Sequence, residues 1–497
     1  MDNVVSLSAA LIALALMYVY QRFGKNEPIV AGIAFPRALH VPFLGVAHQL
    51  ATLTGMERLY VDAIDADGMV SFRLMTVPCV AVTRPDHVRQ VLCATSYRNP
   101  IPIIDSHIKR LVGSKALPIL MHEEWKGHRR LVSRAFHWQN LVNMVPAMAS
   151  VAAACTDALL EKDGTFEALS LLQLSALDTI GLTGFGCNLH ALRNGSNPLL
   201  RAFTFLQEET NRRCFKDAHN PASHLTWLPT PSNLRYRREA QIARSTLATL
   251  IANRVLTHRT GGVVHHDLLE AMLDAAADDG DAMTPEVLAD NVLTFFFAGA
   301  DSTSTGMAYA MYLLATHPAV QDKAVAEINS VLGRDGELTY DAVQKLPYTS
   351  AVLTEALRLY TPVPVIQRNL ETDLTLGKHV IPAGTLVAVP IWFVNRLPRN
   401  WGPDAAEFKP ERHLDAADDD NLAAKDRAYR FTTFSGGPRN CVGMRFAILE
   451  ATILLVSVLR RCILTRQKDA PSVHPNNIGL TLKPEQGIWL EVAPRAA

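Results

Sequence analysis

From residue 284 to residue 316 apolar side chains return every third or fourth position, and nothing breaks the pattern before His317-Pro318. That periodicity predicts one long helix. Thr284 suits its N-cap and Pro285 its first turn, so 285–316 is expected to form a rod of about 48 Å. The same spacing predicts helices over 141–160, 235–258, 319–332 and 443–461. Strand-type alternation is confined to short pieces at 70–83, 374–390 and 478–492, each with turn residues inside. The expected fold class is mainly α with small β-sheets. No internal repeat is visible, the acidic run DAADDD at 415–420 reads as a solvated loop, and no glycine-rich phosphate loop follows a strand.

The amino terminus has a different pattern. Val4 to Tyr20 carry no charge, and as a helix they would span about 26 Å, close to a thin bilayer such as that of the endoplasmic reticulum. A cleaved signal peptide is the alternative. Asp2 in place of a basic leader, with Arg22 and Lys25 after the span, favours a retained anchor over 1–24 and a cytosolic body. Pro28, Pro36, Pro42 and Gly45 make 25–48 a stiff, turn-rich hinge, and 49–497 the soluble body.

Composition adds two exclusions. Hydrophobic residues at 48% and charged ones at 19% suit a chain that buries a large core. The 48 Lys+Arg balance 48 Asp+Glu, so no global field draws the chain to nucleic acid. The seven cysteines are scattered and never spaced as CxxC, which speaks against a disulfide framework and a zinc site. Six of them read as buried small hydrophobes.

Cys441 is the seventh. It lies in FSGGPRNCVG, 434–443, where bare backbone lets amide groups and a flat cofactor approach the sulfur, and a helix beginning just after it offers unsatisfied N–H groups that favour a thiolate. From the residues alone, an inert cysteine in a turn and a nucleophile at a helix N-terminus both remain open. Within the long helix, Gly299 between Ala298 and Ala300 costs about 1 kcal/mol relative to alanine. Either close helix packing or a flat group lying on that face would explain it.

The spacing Phe434, Gly437, Arg439, Cys441, Gly443, continued by Ala447 and Glu450, resembles the haem-binding signature of the cytochrome P450 family. The resemblance implies Cys441 as axial thiolate of haem b iron and Arg439 as a haem-propionate partner. Glu355-Ala-Leu-Arg358 resembles the family's ExxR motif, with Arg412 completing a structural cluster; without the family, Glu355 and Arg358 are only an i,i+3 pair worth about 0.2 to 0.5 kcal/mol if exposed. Trp125 and Arg129, four apart, resemble a further propionate contact, and Arg368 stands where another is expected. AGADST, 298–303, resembles the oxygen-binding groove, so Ala298 and Gly299 are expected over the haem, with Asp301 and Thr303 as the acid-alcohol pair that handles protons. Without the family, Thr303 would bond the carbonyl one turn back and Asp301 would sit in a surface pair. Two positions depart from the family pattern: Asn395 where His is frequent, and His413 where Phe is usual.

What the resemblance implies is a membrane-anchored haem-thiolate monooxygenase of the endoplasmic reticulum. It would place one atom of O₂ in a C–H bond and release the other as water. Electrons would come from a separate NADPH-cytochrome P450 reductase, with cytochrome b5 as a further candidate, and Lys126, Arg130, Arg134 and Arg445 are candidate docking cations. Apolar segments at 101–108, 295–298, 363–366 and 478–480 suggest a lipophilic substrate. The stretch 227–240 is similar to one in fatty-acid hydroxylases, so a fatty acid is expected, with a sterol, another terpenoid or a xenobiotic as alternatives. A haem-thiolate isomerase or dehydratase and a non-catalytic haem sensor are the readings from other classes.

Overall fold

The long helix forms over Pro285–Thr316, with the Thr284 hydroxyl accepting from Val287 N–H at 3.3 Å. The structure is a computed structural model, and it describes residues 28–41, 44–75, 77–94, 102–162, 164–194, 197–217, 224–260, 265–279, 283–333, 336–414, 423–475 and 477–495. The expected anchor at 1–24 and the acidic run at 415–420 lie outside these residues. The described residues fall into two compact units, one within Met1–Pro100, Pro364–Gly402 and Leu422–Arg439, the other within Ile101–Val363, Pro403–Asn421 and Asn440–Ala497.

The second unit is helical and is built around Pro285–Thr316. Helix Ala168–Phe185 packs along it, while Trp138–Leu160 packs along Met444–Arg461. Trp138–Leu160 and Ala168–Phe185 are long and apolar enough to cross a membrane by length and composition. Here their apolar faces meet neighbouring helices instead. Aromatic stacking fixes the contact: the Phe296 ring lies between Phe185 and Phe203, with centroids 4.8 and 4.5 Å away. The side chain missing at Gly299 would meet Ile180 at 3.6 Å, so that glycine faces the helix Ala168–Phe185. That is ordinary contact distance, which a methyl group would tolerate, so packing against Ile180 does not by itself require a glycine. Gly306 admits Leu357 of helix Pro347–Leu359, whose Cδ2 would lie 2.7 Å from an added Cβ.

Among the described residues, two small sheets complete this unit. Cys462–Arg466 and Thr165–Glu167 flank Trp489–Pro494 in an antiparallel sheet. Asn477–Ile478 and Leu482–Lys483 form a hairpin. Leu482 N–H donates to Pro362 O at 2.7 Å and Tyr309 OH donates to Leu482 O at 3.3 Å, which seats the hairpin against the central helix.

The first unit carries the larger sheet. Met69–Leu74 pairs antiparallel with Val77–Val82, which runs parallel to Leu386–Val389, and Ile366–Asn369 closes the far edge antiparallel. Alternate side chains of these strands meet helix Pro85–Ala94 in a core that includes Val80, Val82, Val88, Leu92, Val387 and Val389. The described part of the expected hinge is rich in turns and is bonded along the first strand. Ser71 N–H donates to Ala34 O at 2.8 Å, and Val46 N–H to Arg73 O at 2.9 Å. Gly45, at φ +60°, is needed there because a Cβ would lie 1.9 Å from Arg73 O.

Replacing Phe296 with alanine removes a fully buried ring from a stacked triple. The change is expected to cost about 3 to 5 kcal/mol of stability, read as a lowered thermal midpoint, with Phe296→Leu losing less.

Candidate functional site

The Cys441 loop is held separately in each unit. In the first unit, Gly437 has φ +65°, and a Cβ there would fall 2.1 Å from Leu92 O, so only glycine fits. Asn395 fixes the approach to it: its Oδ1 accepts from Thr432 N–H at 3.1 Å and its Nδ2 donates to Thr433 Oγ1 at 2.9 Å. The departure at 395 therefore has a defined structural job. Arg368 is buried and donates from Nη2 to Ser435 Oγ at 3.2 Å and from Nη1 to Gln367 O at 2.9 Å. Phe434 packs edge-on against Phe431, and half-buried Arg439 ends the tight turn Gly437–Arg439.

In the second unit the loop continues through Asn440. Arg129, one turn after buried Trp125 on helix His122–Ala135, donates from Nη1 to Asn440 O at 2.7 Å and from Nη2 to Asn440 Oδ1 at 2.6 Å. Arg129 therefore grips the residue before the cysteine. Gly443 is the N-cap of helix Met444–Arg461, and the nearest atom to a Cβ added there belongs to Phe136, at 3.8 Å. Phe136 stands edge-on to both Phe295 and Phe446, at 5.3 and 6.2 Å, and so joins the central helix to the helix after Cys441.

The helix start does not by itself produce a thiolate. Solvent reaches Cys441, yet protein atoms enclose most of its surroundings. That burial pushes the thiol up, against a smaller downward pull from Gly443 N–H and the Arg129 charge. The sequence expectation named only the favourable half of this balance. A charged sulfur there needs more positive charge than the two donors give, which a bound metal ion supplies. On the central helix, Ala298 is exposed between buried Phe297 and the mostly buried turn that follows it. The donor set around Cys441 and the open face at Ala298 fit a flat, metal-centred group.

Glu355 and Arg358 are not an exposed pair; both are fully buried. Arg358 donates from Nε and Nη2 to the two carboxylate oxygens at 2.7 and 2.8 Å, and Arg412 Nε to Oε1 at 2.8 Å. His413 Nε2 lies 2.8 Å from Oε2, and Lys409 N–H donates to Oε1 at 3.1 Å. His413 is thus a full member of the cluster, and the Phe-to-His departure supplies a polar partner rather than merely disturbing the local fold. Burial acts to raise the Glu355 carboxyl, but the bonds from Arg358 and His413 outweigh it and hold it down at about 2.

Asp301 is buried rather than in a surface pair. Its Oδ2 accepts from Thr481 OH at 2.5 Å, and Lys483 Nζ lies 2.6 Å from Oδ1 as an ion pair whose angle falls outside hydrogen-bond geometry. Thr303 Oγ1 is buried with no hydrogen-bond partner, so it does not cap the carbonyl one turn back. Residues two apart on a helix do not face each other, which leaves acid and alcohol near one another without direct contact. Lys483 and Thr481 are the residues that sequence reasoning missed; their only signal was a strand pattern carrying a lysine that faces inward.

A family model described as Cytochrome P450 matches residues 36–490. Among curated proteins, Cytochrome P450 CYP72A613 of Trigonella foenum-graecum is 32% identical over 78% of this chain and 73% of its own length. Cytochrome P450 3A12 of Canis lupus familiaris and the lithocholate 6-beta-hydroxylase of Mesocricetus auratus are each 28% identical, over 97% of this chain and 95% of theirs. The chain is a cytochrome P450. It is accordingly a monooxygenase of the haem-thiolate class, with the mainly α fold of that family.

Within this P450 the expected docking cations are partly spent. Lys126 pairs with Glu123 at 2.5 Å and Arg134 with Asp278 at 2.9 Å, both between exposed side chains. One of the apolar segments also changes meaning: Phe296 and Phe297 are occupied in packing against Phe203, leaving Ala298 as the open position of 295–298.

Because Glu355 is held below its ordinary value, its contribution to stability is complete above about 4.5 and is lost as the pH falls towards about 2. Glu355→Gln leaves Arg358 buried without its counter-charge and is expected to cost about 3 to 5 kcal/mol at neutral pH. Acid titrations of unfolding should show the variant flatter than wild type in that pH interval.

Proposed function

We propose that this P450 hydroxylates a lipophilic substrate, a fatty acid, with electrons from a separate NADPH-dependent reductase and cytochrome b5 as a second candidate donor. The observation that carries the reading is the environment of Cys441: a sulfur at the N-terminus of Met444–Arg461, fixed through Arg129 and Asn440, in the same unit as the open Ala298 face. Haem b, when bound, supplies reductive activation of O₂ and delivery of one oxygen atom to a C–H bond.

The chain's own residues bind, orient and move protons. Cys441 Sγ is the proposed ligand, with Gly437 and Gly443 shaping the backbone turn of its loop. Arg439, Arg368 and Arg129 are proposed to offer their guanidinium charge to the haem propionates and Trp125 its indole N–H, while Arg129 also holds the loop. Thr303 Oγ1, buried and unpartnered, can hold a proton on the central helix. Asp301 replenishes it by leaving Lys483 and Thr481 or through an intervening water. Glu355, Arg358 and Arg412 support the fold behind the site. Residues 1–24 are proposed as the anchor in the endoplasmic reticulum membrane, with 49–497 as the catalytic domain.

The fatty acid rests on the similarity of 227–240. A sterol or terpenoid substrate is the second reading, and the relative named lithocholate 6-beta-hydroxylase favours it.

Two variants test the site. Cys441→Ala is expected to abolish the thiolate signature in the reduced, carbon monoxide difference spectrum; an unchanged Soret band and difference spectrum would overturn the ligand assignment. Thr303→Ala should keep that spectrum but lower product formed per NADPH consumed by about tenfold, with peroxide released instead. An unchanged ratio removes the proton role. A panel of fatty acids and sterols, read as spin-state shifts, separates the two substrate readings.

A further inference from the structure

Helix Pro102–Val112 and the first half of helix Pro231–Arg259 line a groove of about 450 Å³ in the second unit. Three guanidinium groups open on it, those of Arg110, Arg237 and Arg244, beside Tyr236. They differ in how far their donors are used. Arg244 Nη1 donates to Asp290 Oδ1 at 3.1 Å, and Arg237 Nη2 donates to the carbonyls of Thr226 and Trp227 at 3.0 and 2.8 Å. Arg110 lies 4.6 Å above the Tyr236 ring, and its Nη1 is buried with no hydrogen-bond partner.

A buried donor left unsatisfied costs about 1 to 3 kcal/mol, and more when it is charged, so Arg110 needs an explanation. The surroundings sharpen the need. Burial is the main influence against its charge; Tyr236 and Glu209 favour the charge, while Arg213 and Arg237 repel it. Glu209 is already bonded by Arg212, Arg213 and Ser232, and Asp290 also accepts from Lys115 N–H. The groove therefore holds more guanidinium than carboxylate.

We propose that this groove is a phosphate-binding site in which Arg110 is the principal donor and Arg237 the second. Guanidinium forks match phosphate oxygens in a bidentate geometry, and an oxyanion would satisfy the buried Nη1 and relieve the repulsion together. The same chemistry is offered by free phosphate and by the headgroup of an anionic phospholipid. Trp227, in the turn before the helix and with its carbonyl holding Arg237, is 71% exposed, and Leu234 on the helix of Arg237 is 51% exposed, which suits a ligand with acyl chains beside its phosphate. The proposal is independent of the haem chemistry.

The test uses full-length holoprotein in an uncharged detergent, with the thermal midpoint followed against inorganic phosphate, dihexanoyl phosphatidic acid, dihexanoyl phosphatidylcholine and chloride at matched ionic strength. A saturable rise with phosphate or phosphatidic acid, exceeding that with chloride and phosphatidylcholine, is expected. Arg110→Gln and the exposed-site variant Arg237→Gln should each bind about tenfold more weakly, with the carbon monoxide difference spectrum unchanged. A response to inorganic phosphate supports a free anion as the source, and a response to phosphatidic acid alone supports a headgroup. Equal responses to all four additives, or variants that respond like wild type, would overturn the site.

Discussion

A carboxylate with no access to water organises the helical unit. Glu355 can stay ionised only while Arg358, Arg412, His413 and the Lys409 amide all reach it, because an unpaired buried charge costs several kcal/mol. Meeting that demand ties helix Pro347–Leu359 to the segment that ends in Pro410–His413. Arg358 adds bonds to the carbonyls of Ala405 and Glu407, so the irregular chain there has its backbone acceptors satisfied. The helix fixed in this way is the one that reaches Gly306 through Leu357, so the charge cluster and the central helix share a packing surface.

The cysteine loop depends on smaller polar contacts distributed along its length. Asn395 and Arg368 hold its beginning, a glycine at positive φ turns it beneath Leu92, and Arg129 holds Asn440. None of these contacts touches the sulfur. The sulfur itself is reached by solvent at a helix N-terminus while burial pushes the thiol up, a balance that a bound cation would reverse.

Much of this was legible in residue order. The central helix begins and ends where its cap and the His317-Pro318 pair predict, because those signals act locally. Strand Cys462–Arg466 was not expected, since it follows a helix with only a change of backbone angle at Cys462 to mark it. The role of Gly299 stays ambiguous because a missing Cβ serves a helix neighbour or a cofactor equally well, and Ile180 lies at an ordinary contact distance from it. The roles of His413 and Lys483 were missed for one shared reason. Their partners, Glu355 and Asp301, are brought to them by tertiary folding, and no local periodicity records such pairings.

The tie between Asp301 and the hairpin crosses 180 residues of sequence to Thr481. Its consequence falls on anyone redesigning the enzyme. Libraries that randomise the C-terminal hairpin would also strip the buried acid of its counterion and its hydroxyl donor, so their losses of stability or activity would report on Asp301 as well as on the hairpin. Codons 301, 481 and 483 belong in one combinatorial set.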